Sequence, residues 1–227
     1  MKGAVDLTRE DALRPGRFID SDAPAIVEAA SNHRGATPQE TAQKLYLLTR
    51  DQIRYDPYVD YTDPETYRAS SVLKAGHGYC VGKGSLLAAL CRAAGIPAAL
   101  GLADVRNHLA TPELLERVGT DVFHYHGFVA IHLDGHWLKV SPTFNATLCA
   151  KLGVAPLPFD GASDALLQPF NDQGQQFMAY LKDHGRWQDV PFTPLLAEMQ
   201  RLYPRITMKG GLRGASMERE AERHGPA

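Results

Sequence analysis

The chain has 227 residues, 44% hydrophobic and 22% charged, an ordinary globular balance long enough to bury a core without staples. A formal net charge of −2 gives no field favouring nucleic acid or an anionic membrane, and no apolar run approaches the roughly 20 residues of a membrane span. Three cysteines, Cys80, Cys91 and Cys149, are too few and odd in number for a disulfide framework, and Met1 to Asp6 lacks a signal peptide's apolar stretch, so a reducing cytoplasm is expected.

Pro24 to Asn32 predicts the first helix, with Ser21 or Asp22 near its cap. Thr37-Pro38-Gln39-Glu40 is a sharper start: Thr37 can cap, Pro38 suits the first helical position and Glu40 can close a capping box. Ala42, Leu45, Tyr46 and Leu48 form that helix's apolar stripe. Tyr55 to Tyr67, rich in Asp, Pro and Tyr, reads as an irregular loop. Ser70 to Leu73 forms a short helical turn ended by Gly76. Cys80 to Ala94 is apolar nearly all round, the pattern of a central buried helix, and Gly95 and Pro97 close it. A buried strand follows over Ala98 to Ala103, then a helix from Thr111-Pro112-Glu113 to Val118. Tyr125 to Leu133 and His136 to Val140 are strands joined by Asp134-Gly135, residues that suit a type I′ turn. Helices are expected near Gln175–Asp183 and Pro194–Leu202, the latter capped by Thr193, and no internal repeat is present. This order gives an α+β fold: one domain over 1–208, with a core at 37–145, a helical part at 150–208 and a disordered tail at 209–227.

Gly76-His77-Gly78-Tyr79-Cys80 sets a thiol on the first turn of the buried helix. Unpaired N–H groups and the positive helix end favour a thiolate there, and the thiolate is the nucleophile. The plainer alternative is a small buried hydrophobe. Cys91 shares its helix face but lies about 16 Å along the axis and reads as core. Val81-Gly82-Lys83-Gly84-Ser85 resembles a phosphate-binding loop, yet His77 stands where that pattern needs glycine and Gly84 where it needs Ser or Thr.

Of nine histidines, His124, His126, His132 and His136 crowd the hairpin. Strict alternation puts His124, His126, Phe128, Ala130 and His132 on one face, with Gly127, Val129, Ile131 and Leu133 toward the core. His132 and His136 read as edge groups. A metal site on His124, His126 and His132 is disfavoured, since no carboxylate accompanies them. A two-residue loop pairs Leu133 with His136, which sets Phe128 opposite Ser141 and His126 opposite Thr143. Ser141, Thr143 and Asn145 then face His126, while Pro142 and Phe144 face away.

These residues resemble the transglutaminase-like superfamily, papain-like thiol enzymes with a circularly rearranged chain order. The likeness runs through Asp51-Gln52-Ile53-Arg54-Tyr55-Asp56, Ser71 to Cys80, and Leu86 to Ala98 with its Arg92-Ala93-Ala94-Gly95-Ile96-Pro97. It continues in His126-Gly127-Phe128, Asp134-Gly135-His136-Trp137 and Ser141-Pro142-Thr143. It resembles in particular a bacterial branch ending Ser-Pro-Thr-Phe-Asn, as at Ser141 to Asn145, with Phe159-Asp160-Gly161 and Asp164-Ala165-Leu166-Leu167 beyond.

The resemblance implies a central Cys-bearing helix packed on an antiparallel sheet with flanking helices. It makes Cys80 the nucleophile and His126 the general base and acid. The family's aspartate falls on Ser141, which supplies a hydrogen bond but no charge, so Asn145 or Asp104 is an alternative orienter. The Cys80 backbone N–H is an oxyanion donor, with Tyr55 and Tyr79 as candidates for a second. The implied activity is a cysteine protease or amidase, or an amide acyltransferase, acting through a thioester on a peptide-like substrate. No cofactor, metal, nucleic acid or membrane is implied. The missing aspartate leaves a second reading, a binding module that kept the fold.

Overall fold

Thr37 opens the first long core helix as its residue type requires: its side chain accepts from the Glu40 N–H at 3.1 Å. Glu40 reaches back to the Ala36 N–H at 2.7 Å, one residue earlier than a strict capping box. In this computed structural model, residues 7–108, 110–166, 178–207, 209–210 and 215–224 are described. Helix α1 spans Pro24–Asn32, with Ala23 and neither Ser21 nor Asp22 at its N-cap. Helix α2 spans Pro38–Leu47 and buries Ala42, Leu45 and Tyr46; Leu48, just past it, is buried too.

A two-residue strand β1, Arg54–Tyr55, pairs in parallel with β2, His77–Gly78. Helix α3, Ala69–Ala75, lies between them and ends on Gly76 in the left-handed region, φ 67°. The segment read as an irregular loop is largely that, but Tyr58, Tyr61 and Tyr67 within it are buried.

Helix α4, Cys80–Ala93, is buried from Cys80 through Arg92. Lys83 is wholly enclosed, and its ammonium donates to the Arg50 and Ile53 carbonyls, tying α4 to the chain entering β1. Burial drives its pKa down to about 7. It is a structural tie, as the mismatch to a phosphate loop requires.

Strand β3 spans Ala98–Asn107, helix α5 Pro112–Val118, strand β4 Val122–Leu133 and strand β5 His136–Val140. Thr111 caps α5. Asp134 and Gly135 take φ 48° and 84°, the conformation of the expected hairpin turn. Helix α6, Ala146–Leu152, follows, then β6, Met178–Trp187, and α7, Phe192–Leu202. The sheet order is β5-β4-β3-β6, with all its pairings antiparallel. Helix α4 rests directly on β4. A Cβ added at Gly127 would come within 2.8 Å of the Val81 Cα and 2.9 Å of the Cys80 carbonyl carbon, so only glycine permits this approach.

The structure corrects four expectations. Met178 to Asp183 is strand, not helix, because it pairs with β3 along the sheet edge; Gln175 to Phe177 lie outside the described residues. Pro191, not Thr193, caps α7. Within the segment expected to fray, helix α8 spans Met217–His224 and buries Met217, Glu220 and Ala221. The hairpin register holds from Leu133↔His136 to Val129↔Val140 but stops short of Phe128 and Ser141. There the chain leaves β4, and the Ser141 N–H bonds the Ala165 carbonyl at 2.7 Å.

Candidate active site

Cys80 is 8% exposed at the start of α4, facing a cavity of about 50 Å³ walled by Tyr55, Tyr61, Tyr79, His124, His126 and Met199, among others. Burial pushes its thiol up to about 11, against a smaller downward pull from the nearby backbone of Gly127, Val81 and Cys80 itself. Burial thus opposes the thiolate that the helix end favours. Cys91, wholly buried, is pushed further, to about 12.

His126 is 5% exposed, and burial alone lowers its pKa to about 4. No hydrogen bond joins it to Cys80 among the described residues. Burial disfavours the charged form of both the thiol and the imidazole. The Nε2 of His126 lies 3.4 Å from the Thr143 hydroxyl, which lies 2.9 Å from that of Ser141. Ser141 is thus one hydroxyl removed from the imidazole, and Thr143 is the direct neighbour, beyond the last ladder pair Val129↔Val140. On its other side His126 borders a smaller cavity shared with Tyr55, Phe144, Met178 and Met217, so Phe144 does not face away.

Asn145 serves elsewhere. Its Oδ1 accepts the Tyr55 N–H at 2.9 Å, and its amide donates to Thr147 and Glu218, which anchors β1 beside the cavity. Asp104 serves neither His126 nor Cys80. The β3–β4 register jumps from Ala103↔His126 to Val105↔Phe123, so His124 and Tyr125 stand together opposite Asp104. Tyr125 takes φ 58°, and its N–H bonds Asp104 at 3.2 Å. The bulge breaks the strict alternation and hands the carboxylate to His124 Nδ1 at 3.1 Å and to His184 Nε2 at 2.7 Å. His184 was not visible as a site neighbour because its strand reads as helix. Tyr55 and Tyr79 both line the Cys80 cavity, and the buried Tyr79 hydroxyl has no hydrogen-bond partner among the described residues. His132 stacks edge-on against Trp137, and among the described residues no group of three or more His, Cys, Asp or Glu side chains is arranged to hold a metal ion.

A thiol at the head of a central helix, laid on an antiparallel sheet that carries a histidine, defines an α+β papain-like fold. The family model for the transglutaminase-like superfamily matches residues 27–142, and the chain belongs to that superfamily. Among solved structures it is similar to a candidate cysteine protease from Cytophaga hutchinsonii, at 16% identity and TM-score 0.48 over 83% of this chain and 50% of that one. It is similar also to an arylamine N-acetyltransferase from Mycobacterium abscessus, at 17% identity and TM-score 0.41 over 68% of this chain and 50% of that one. A TGase matches at 17% identity and TM-score 0.39 over 63% of this chain and 35% of that one. The chain thus spans half or less of the length of each of these three. Among curated proteins none matches the sequence. Superfamily membership supports thiol-dependent acyl transfer or hydrolysis as the general chemistry. No helix among the described residues is long and apolar enough to cross a membrane.

Proposed function

We propose that the protein cleaves or transfers an acyl group at a peptide-like amide through a thioester on Cys80. The observation that carries this reading is the shared cavity: Cys80, on the first turn of α4, and His126, on β4, wall the same space. Burial disfavours the charged form of each group, and His126 acts as the general base during attack. Sulfur bonds the carbonyl carbon while its proton passes to His126. His126 returns that proton to the departing amine as the C–N bond breaks. Water or an amine then takes the acyl group from sulfur. The Cys80 N–H, at the open end of α4, is placed to receive the developing oxyanion, with Tyr55 or Tyr79 as the second donor. The residues walling the cavity include no Lys, Arg, Asp or Glu, which favours an uncharged acyl group.

Mixing the protein with 4-nitrophenyl acetate tests the reading. One equivalent of nitrophenol released in a burst, with an acetyl mass on the Cys80 peptide, is the expected result. Cys80→Ala abolishes both and leaves the fold intact, whereas Cys91→Ala changes neither. Turnover surviving in Cys80→Ala refutes the nucleophile. If Cys80 neither acylates nor reacts with iodoacetamide faster than Cys91, the chain is a binding module on this fold.

A further inference from the structure

We infer that His124, held by Asp104, is a second acid–base group of the Cys80 cavity and activates the water or amine that resolves the thioester. This rests on the acyl-transfer reading above and assigns the step that His126 is poorly equipped to perform. Among the described residues the hydrogen-bond partner of the His126 ring is a hydroxyl, at 3.4 Å, and the ring is almost wholly enclosed. His124 walls the same cavity as Cys80, but its side chain is 34% exposed. Its Nδ1 meets Asp104 Oδ2 at 3.1 Å, and Asp104 accepts three contacts in all, from His124, His184 and the Tyr125 N–H.

That arrangement fixes the proton of neutral His124 on Nδ1, against the carboxylate. Nε2 keeps its lone pair and has no protein partner among the described residues. Tyr203 braces this segment: its hydroxyl accepts the His124 backbone N–H, and its ring centroid lies 6.3 Å from the imidazole. The backbone device behind this placement is the bulge. Tyr125, at φ 58°, puts two residues of β4 opposite Asp104 and so delivers His124 to the carboxylate. A residue other than glycine in the left-handed region is costly, and such cost concentrates at functional sites. A purely structural brace between β3 and β6 would be met by the Asp104–His184 contact alone.

In the step proposed, the acceptor's oxygen or nitrogen bonds the acyl carbon and its proton passes to His124 Nε2. The C–S bond breaks with its electron pair on sulfur. The proton then returns through solvent to the Cys80 thiolate, which restores the starting enzyme.

The experiment is burst kinetics with 4-nitrophenyl acetate, an activated ester for which resolution of the thioester limits turnover. His124→Gln keeps a full one-equivalent burst while steady turnover falls about 100-fold, the lower range of a general base's contribution. Asp104→Asn gives the same split and guards against a His124 variant that does not fold. Imidazole in the buffer restores part of the turnover of His124→Ala, because the position opens to solvent; loss of a structural brace gains nothing from it. A normal burst with turnover unchanged in both His124→Gln and Asp104→Asn overturns this role alone. Equal loss of burst and turnover overturns it in favour of a structural brace. Absence of a burst in the unaltered protein overturns the acyl-transfer reading, and this one with it.

Discussion

Two imidazoles two residues apart on β4 live in opposite surroundings. His126 is almost wholly enclosed, with the Thr143 hydroxyl 3.4 Å from its Nε2 and the Ser141 hydroxyl one step further. His124 is a third exposed and shares a carboxylate with His184. The difference comes from one extra residue in a strand, since the bulge at Tyr125 breaks the face the two would otherwise share. The lesson is that a carboxylate near a site is assigned by register, not by nearness in sequence. Asp104 pairs with the strand in which both histidines stand and still serves only one of them.

The contrast can be broken most severely at Gly127, which holds the His126 side against α4. Gly127→Ala forces a methyl onto the backbone of Cys80 and Val81, neither of which is the end of a flexible side chain. Overpacking typically costs about 1–3 kcal/mol, and backbone contact puts this variant at or above the top of that range. Urea denaturation measures it, and an unchanged midpoint shows that α4 does not rest on β4 as described.

The enclosed side has its own pH signature. The folded pKa of His126 lies below the unfolded one, so the unfolded chain takes up a proton first as pH falls through about 6.5. Its contribution is fully present above that pH and is lost progressively down to about 4, amounting to about 3 kcal/mol. His126→Gln removes this part of the slope. Parallel stability profiles for the two proteins between pH 4 and 7, the window set by about 6.5 and about 4, would show that His126 is not enclosed.

A finer test concerns the two hydroxyls. Thr143→Val removes the group next to His126 Nε2 and lowers turnover about tenfold, at about 1 kcal/mol of stability. Ser141→Ala acts through Thr143 and costs less. Ser141→Asp sets a carboxylate one hydroxyl away, raises the His126 pKa above its present value and keeps or raises activity; an imidazole titration followed by NMR reads the shift. No shift means that Thr143 is not in contact with Ser141. The smallest effect is expected at His132, on the same strand but against Trp137: His132→Ala changes stability by under about 0.5 kcal/mol and turnover not at all.

Much of this was readable in the chain because the signals are local. A threonine cap before Pro38, Gly76 after α3 and Asp134-Gly135 in the hairpin each act over a few residues, and each falls where expected. Carrying the hairpin register forward sets Ser141, Thr143 and Asn145 facing His126, and of these Thr143 is the one in contact. What was not legible depends on distant partners. A bulge leaves no mark in an alternation of residue types, so Asp104 reads as available to His126. The strand β6 is polar and lacks a clean period, and becomes a strand by pairing with the edge of β3. Helix α8 is so charged that it looks unable to bury anything. Its Glu220 is enclosed only because Tyr58, Thr111 and Arg117 converge on it.

That convergence bears on the order in which the molecule assembles. The Glu220 carboxylate joins Tyr58 across 162 residues of chain and Thr111 across 109, and Asp189 gathers the backbone N–H groups of Arg17, Phe18 and Ile19 across 170 or more. Contacts of such span close large loops before they return any free energy, so they form late and make folding slow. The two carboxylates are thus clasps that fix α8 and the segment after β6 to chain lying far earlier in the sequence.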